Sequence, residues 1–139
     1  MSELDLSALR KAVRALRRAV SVWEGLSEMQ RKRAIGETVR AGVIQSFEFT
    51  YELCWKFMRR WLEINIARDA ADGVTRRELF RLSAEQKLID DVDIWMLFHE
   101  ARNLSSHTYD EEKAEMVLES ALELPSFAAK LLEALEGKG

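Results

Sequence analysis

The densest chemistry in the sequence lies at Arg102-Asn103-Leu104-Ser105-Ser106-His107-Thr108-Tyr109-Asp110. Arg102 offers a permanently charged planar fork suited to phosphate oxygens. His107 is an imidazole, a group that can take or give a proton. Together they suit proton transfer beside an anionic group, though one chain supplies a single motif histidine. Asn103 and Ser106 add short hydrogen-bonding groups able to orient the histidine or a phosphate, and Tyr109 adds a phenol. The same residue types also cap helix ends, so spacing alone favours a polar helix exit over a catalytic centre.

Helical geometry limits how the groups can cooperate. One turn apart, Asn103 stacks on His107 and Arg102 on Ser106. Arg102 and His107, five positions apart, would diverge by roughly 140° on an unbroken helix. Either the helix ends before His107, or a second copy of the segment faces the first across a two-fold axis.

The elements that must position this segment read as helices throughout. Leu6, Leu9, Val13, Leu16, Val20 and Trp23 recur at steps of three and four, and Arg10, Arg14, Arg17 and Arg18 mark a basic opposite side. Such a stripe could touch RNA, though a solvated face has the same pattern. Gly25 can end this helix, and Ser27 with Gln30 has capping-box spacing for a short second one. Gly36 is expected to interrupt that helix before the longest apolar run, about residues 38 to 64, whose seam is Ile44, Phe47, Tyr51, Cys54, Met58 and Trp61. Phe49, Trp55, Phe57 and Leu62 spread apolar surface round the cylinder, which marks a central helix or one in an interface. Its polar strip holds Gln45, Glu48, Glu52 and Lys56. Like charges one turn apart at Glu48 and Glu52 call for a cation, and Lys56 is placed to serve Glu52.

Residues 65 to 74 form a loop closing on Asp72-Gly73, and Thr75 starts a helix with Glu78 at the capping-box position. That helix ends near Lys87. Asp90 or Asp91 caps the next, which carries Ile94, Leu97, Ala101 and Leu104 on one side, Trp95, Phe98 and Arg102 on another, and delivers the polar segment at its C-terminal end. Asp110 caps the last helix, Pro125 is expected to kink or break it, and Gly-Lys-Gly forms a frayed tail. The fold expected is all-α, an up-and-down bundle of four to five helices forming a single domain over residues 1–139.

Composition narrows the function classes. Hydrophobic residues make up 47% and charged residues 32%, with one proline, as befits a folded helical chain rather than a disordered one. No run of eighteen apolar residues or basic leader occurs, so a cytoplasmic protein without membrane association is expected. One cysteine, in an apolar pattern, and two histidines make a disulfide or zinc site unexpected. The net charge of -3 conceals polarity: residues 1 to 81 hold 16 basic against 11 acidic groups, and residues 82 to 139 hold 5 against 13.

The pattern Arg102, four residues, His107, one residue, Tyr109 resembles the signature of the HEPN superfamily, in particular its HepT branch, also described as the nucleotidyltransferase substrate-binding protein family. The likeness extends to Gly42 through Lys56, similar to the family's second-helix block, and to Ser106 through Glu111. The resemblance implies a HEPN-like homodimer partnered with a minimal nucleotidyltransferase, without a cofactor. In toxin-antitoxin members the helical protein is a metal-independent ribonuclease, silenced by adenylylation of the motif tyrosine. On that pattern Arg102 and His107 are catalytic at a composite dimer site, Asn103 and Ser106 support them, and Tyr109 is modified. The alternative is a non-catalytic substrate-binding subunit of a two-component nucleotidyltransferase. His99 is read as structural or exposed. Tyr109 has a structural alternative too, packing across the junction and bonding a helix end.

Overall fold

A computed structural model describes residues 4–138, and every regular element in it is helical. The order is α1 (Ser7–Glu24), the one-turn α2 (Glu28–Arg31), α3 (Ala34–Asn65), α4 (Arg76–Glu85), α5 (Val92–Leu104), a 3-10 turn (Ser105–His107) and α6 (Glu111–Lys138). The expected all-α bundle is therefore observed, with five long helices and one short one among the described residues.

Periodicity accounts for the core. The whole α1 seam from Leu6 to Trp23 is buried, and so are all six seam residues of α3. Arg14, Arg17 and Arg18 of α1 are exposed, as a solvated face requires. The 32-residue α3 is the hub, touching each of the other five helices. Phe57, Thr50, Val43 and Leu62 widen its buried surface, and Phe49 is left outside.

Cap chemistry sets most boundaries. Ser27 and Gln30 form both bonds of a capping box, and Thr75 accepts from the Glu78 amide. Glu78 does not close a second box, because its carboxylate pairs with Arg81 at 2.7 Å. Asp91 caps α5 by accepting from the amides of Asp93 and Ile94, and the Asp110 carboxylate accepts from the Lys113 amide at 3.3 Å in the first turn of α6. Lys87 takes the left-handed conformation, φ 62°, two residues past the end of α4, and Gly73 does the same in the 65–74 loop.

Two expectations fail for tertiary reasons. Gly36 does not interrupt a helix. It lies in the first turn of α3, where a Cβ would stand 2.1 Å from the Arg31 carbonyl oxygen, so glycine permits the close α2–α3 turn. Pro125 does not break α6 either. A proline inside a helix costs about 3 kcal/mol or more. Buried residues on both sides of it, Val117 to Leu124 and Ala128 to Leu135, offset that by packing on the core. The helix continues through Gly137 to Lys138, contrary to the expected frayed tail, and Gly139 lies outside the described residues.

Candidate functional site

The motif segment sits where α5 gives way to α6. The α-helix stops at Leu104 and tightens into the 3-10 turn at Ser105–His107, so the first of the two geometric alternatives is realised as far as the helix end goes. His107 and Tyr109 are both exposed, Tyr109 to 85%, with ring centroids 6.0 Å apart in an edge-on arrangement. Asn103 and Ser106 are exposed as well, joined by one long bond of 3.4 Å from Ser106 Oγ to the Asn103 carbonyl.

Arg102 points the other way, into the seam between α5 and α3. Its Nη1 donates to Glu48 Oε2 at 3.2 Å and to Ser105 Oγ at 3.0 Å. Its Nε lies 3.3 Å from Glu52 Oε2, close enough for an ion pair but too misaligned to hydrogen-bond. Ser105 Oγ in turn lies 2.5 Å from Glu48 Oε2 and 2.7 Å from the Arg102 carbonyl, two acceptors for its single proton. The cation that relieves Glu48 and Glu52 is thus Arg102 and not Lys56, whose ammonium lies over the Trp55 ring. The tightened turn also replaces the Arg102 and Ser106 stack by an Arg102 and Ser105 pair. The groups of these ion pairs are about a third exposed, so each is worth about 1 kcal/mol or less.

A second polar cluster, one turn earlier on α5, was not anticipated. The Tyr51 hydroxyl lies 2.8 Å from His99 Nδ1 and 3.3 Å from Arg76 Nη1. Arginine can only donate, so the Tyr51 oxygen accepts from Arg76, while the direction of its bond to His99 follows the imidazole tautomer. Burial, helped by the Arg76 charge, holds the His99 imidazole below its ordinary range. Burial also raises the Tyr51 phenol well above its usual range. Arg76 stacks over Trp55 with its guanidinium carbon 3.7 Å from the ring centroid, and the Trp55 indole donates to Glu52 at 3.2 Å. Glu52 therefore links the two clusters. The sequence offered one signal for this seam, the like-charged Glu48 and Glu52 on a greasy helix, and none for Arg76 or Ser105.

The structure therefore gathers His107 and Tyr109 at the exposed junction and engages Arg102 with α3. Cys54 is buried, and burial pushes its thiol far above the range in which a thiolate forms. Among the described residues no group of three or more His, Cys, Asp or Glu could hold a metal ion, and no helix is long and apolar enough to cross a membrane.

Comparison with known proteins finds likeness along the chain. A family model described as nucleotidyltransferase substrate binding protein like matches residues 4–137. A solved structure from Haemophilus influenzae, described as revealing the fold of a substrate binding domain of a nucleotidyltransferase, superposes with a TM-score of 0.86. It shares 32% identity, and the match covers 95% of this chain and 99% of that one. A protein of Haemophilus influenzae named probable ribonuclease HepT is 39% identical over 84 residues, which is 60% of this chain and 58% of that relative's length.

Proposed function

From the fact that the chain belongs to the nucleotidyltransferase substrate binding protein-like family, in its HEPN and HepT-like branch, we propose that it is the substrate-binding partner of a nucleotidyltransferase and that Tyr109 is the group it presents. The observation that carries this reading is the placement of Tyr109, 85% exposed at a junction fixed by α5 on one side and the Asp110 cap of α6 on the other. In the transfer, the Tyr109 oxygen attacks the α-phosphorus of ATP, the bond to pyrophosphate breaks, and the phenolic proton passes to water. The description of the matching family and that of the solved structure both name substrate binding and support this role.

A second reading has its own support in that relative's name and in the intact Arg102/His107 pattern. On it the chain is the toxin of a toxin-antitoxin pair, a metal-independent endoribonuclease. Two chains paired across a two-fold axis supply two histidines for proton transfer and two arginines for the phosphorane, with Asn103 and Ser106 in support. An adenylyl group on Tyr109 would then place a phosphate charge beside the site and silence it. Nη1 of Arg102 is engaged by Glu48 and Ser105, which leaves Nη2 as the group it can offer a phosphate.

One experiment separates the readings. Purified protein is incubated with RNA in EDTA, before and after treatment with a minimal nucleotidyltransferase and ATP, with the adduct mapped by mass spectrometry. The binding reading expects AMP on Tyr109 and no RNA cleavage at either stage. Cleavage that is lost in both Arg102→Ala and His107→Ala, and falls once Tyr109 is modified, establishes the ribonuclease reading instead. An adduct on another residue overturns the role of Tyr109 in both.

A further inference from the structure

The face of α5 turned away from α3 meets α6 in a groove of about 230 Å³. Ile94, Leu97, Leu104 and Met116 supply its apolar surface, and Ala101 and Ser120 keep its floor low. Leu97 and Met116 are each 55% exposed. Three further residues line it, Glu100, Glu119 and Glu123, and all are acidic. The volume falls below the roughly 300 Å³ at which small-molecule pockets begin, so it suits a few side-chain anchors rather than a ligand. With a short connection the two helices run antiparallel, which puts Leu104 and Met116 at the end nearest Tyr109.

We propose that this groove docks an amphipathic helix of a partner protein whose apolar anchors are flanked by lysine or arginine. Charge selects the occupant. A second copy placed face to face across a two-fold axis would bring six glutamates together, and like charges across an interface disfavour pairing. The basic α1 of a second copy cannot serve either, because its apolar seam is consumed in its own core. A foreign helix with basic flanks satisfies both the apolar floor and the acidic rim, the helix-in-groove mode of recognition. Seated there, its end lies against the junction that carries Tyr109. The inference rests on the nucleotidyltransferase reading only for the identity of that partner, which would be the enzyme that modifies Tyr109.

The test uses two synthetic helical peptides with the same leucine stripe, one flanked by lysine and the other by glutamate, titrated into the full chain by fluorescence anisotropy. The lysine peptide is expected to bind at least tenfold more tightly. Glu119→Lys with Glu123→Lys should reverse that order, and Leu97→Ala with Met116→Ala should weaken the lysine peptide at least tenfold. Circular dichroism checks that each variant is folded, and all four positions tolerate polar or small side chains because none is in the core. Equal binding of the two peptides, no binding of either, or a dimer that Leu97→Ala with Met116→Ala converts to a monomer would overturn the proposal. Peptide binding to Tyr109→Phe should match the parent, so failure of the groove and failure of the Tyr109 reading register separately.

Discussion

Arg102 joins Glu48 and Glu52 across the seam of α3 and α5 through Nη1 and Nε, so a phosphate would meet its Nη2 beside two carboxylates. The polar cluster at the end of α5 was legible from residue types alone. Its partners were not, because Glu48 and Ser105 lie 57 residues apart and nothing local pairs them. Glu48→Gln is expected to cost about 1 kcal/mol in urea unfolding, the worth of a hydrogen-bonded pair that is partly solvated. A loss above about 3 kcal/mol would mean that the carboxylate neutralises a fully buried charge instead. His99 gives a pH-dependent prediction. Burial and Arg76 depress its folded-state midpoint, so the unfolded chain binds this proton more readily than the folded one. Stability from this group is therefore complete above about pH 6.5, the unfolded value, and is lost as pH falls through the lower folded midpoint. Unfolding free energies measured between about pH 7.5 and pH 5 should fall less steeply in His99→Gln than in the parent. In a proton NMR titration, Arg76→Ala should raise the His99 midpoint without restoring the ordinary value, since burial is the larger cause. A midpoint at or above the ordinary value in the parent would refute the assignment.

The elements show where local reading succeeds. Apolar seams at steps of three and four, the Ser27, Thr75 and Asp110 caps and the glycine loop at Gly73 depend on neighbours a turn away, and each stands where its pattern indicates. Asp91 rather than Asp90 was decided by which carboxylate reaches the first free amides of α5. Gly36 and Pro125 misled because their roles are tertiary: one makes room for the Arg31 backbone, and the other is carried by packing on both sides. Two glycines of α3 convert that distinction into a prediction. At Gly42 an added Cβ meets nothing within 4 Å, so Gly42→Ala should raise stability by about 1 kcal/mol through helix propensity alone. At Gly36 the same methyl group would collide with backbone, and Gly36→Ala should lower stability by more than propensity returns. Urea midpoints moving in opposite directions would bear this out. A rise in both would show that the α2–α3 turn does not need its glycine.

At the scale of the whole molecule the question is which surface meets a second copy, if two chains are to build one site. The protomer leaves His107 and Tyr109 outside and holds Arg102 inward, so it does not converge these groups by itself. The acidic rim of the α5 and α6 groove disfavours self-pairing there. Phe49, 61% exposed on α3 beside the Glu48 that holds Arg102, gives the motif side an apolar contact with no use inside the chain. The arrangement expected is a homodimer with the two Arg102-to-Tyr109 segments near its axis and Phe49 in its interface. Light scattering at micromolar concentration should give twice the chain mass of 16.1 kDa, and Phe49→Glu should give the single mass with unchanged helix content. Two carboxylates brought face to face there would be desolvated without a partner, and that cost falls on the dimer alone because the position is exposed in the protomer. A monomeric parent would remove the composite site from consideration and leave Tyr109 to be presented by single chains. A dimer that survives Phe49→Glu would instead move the axis to another face, and the two motif segments with it.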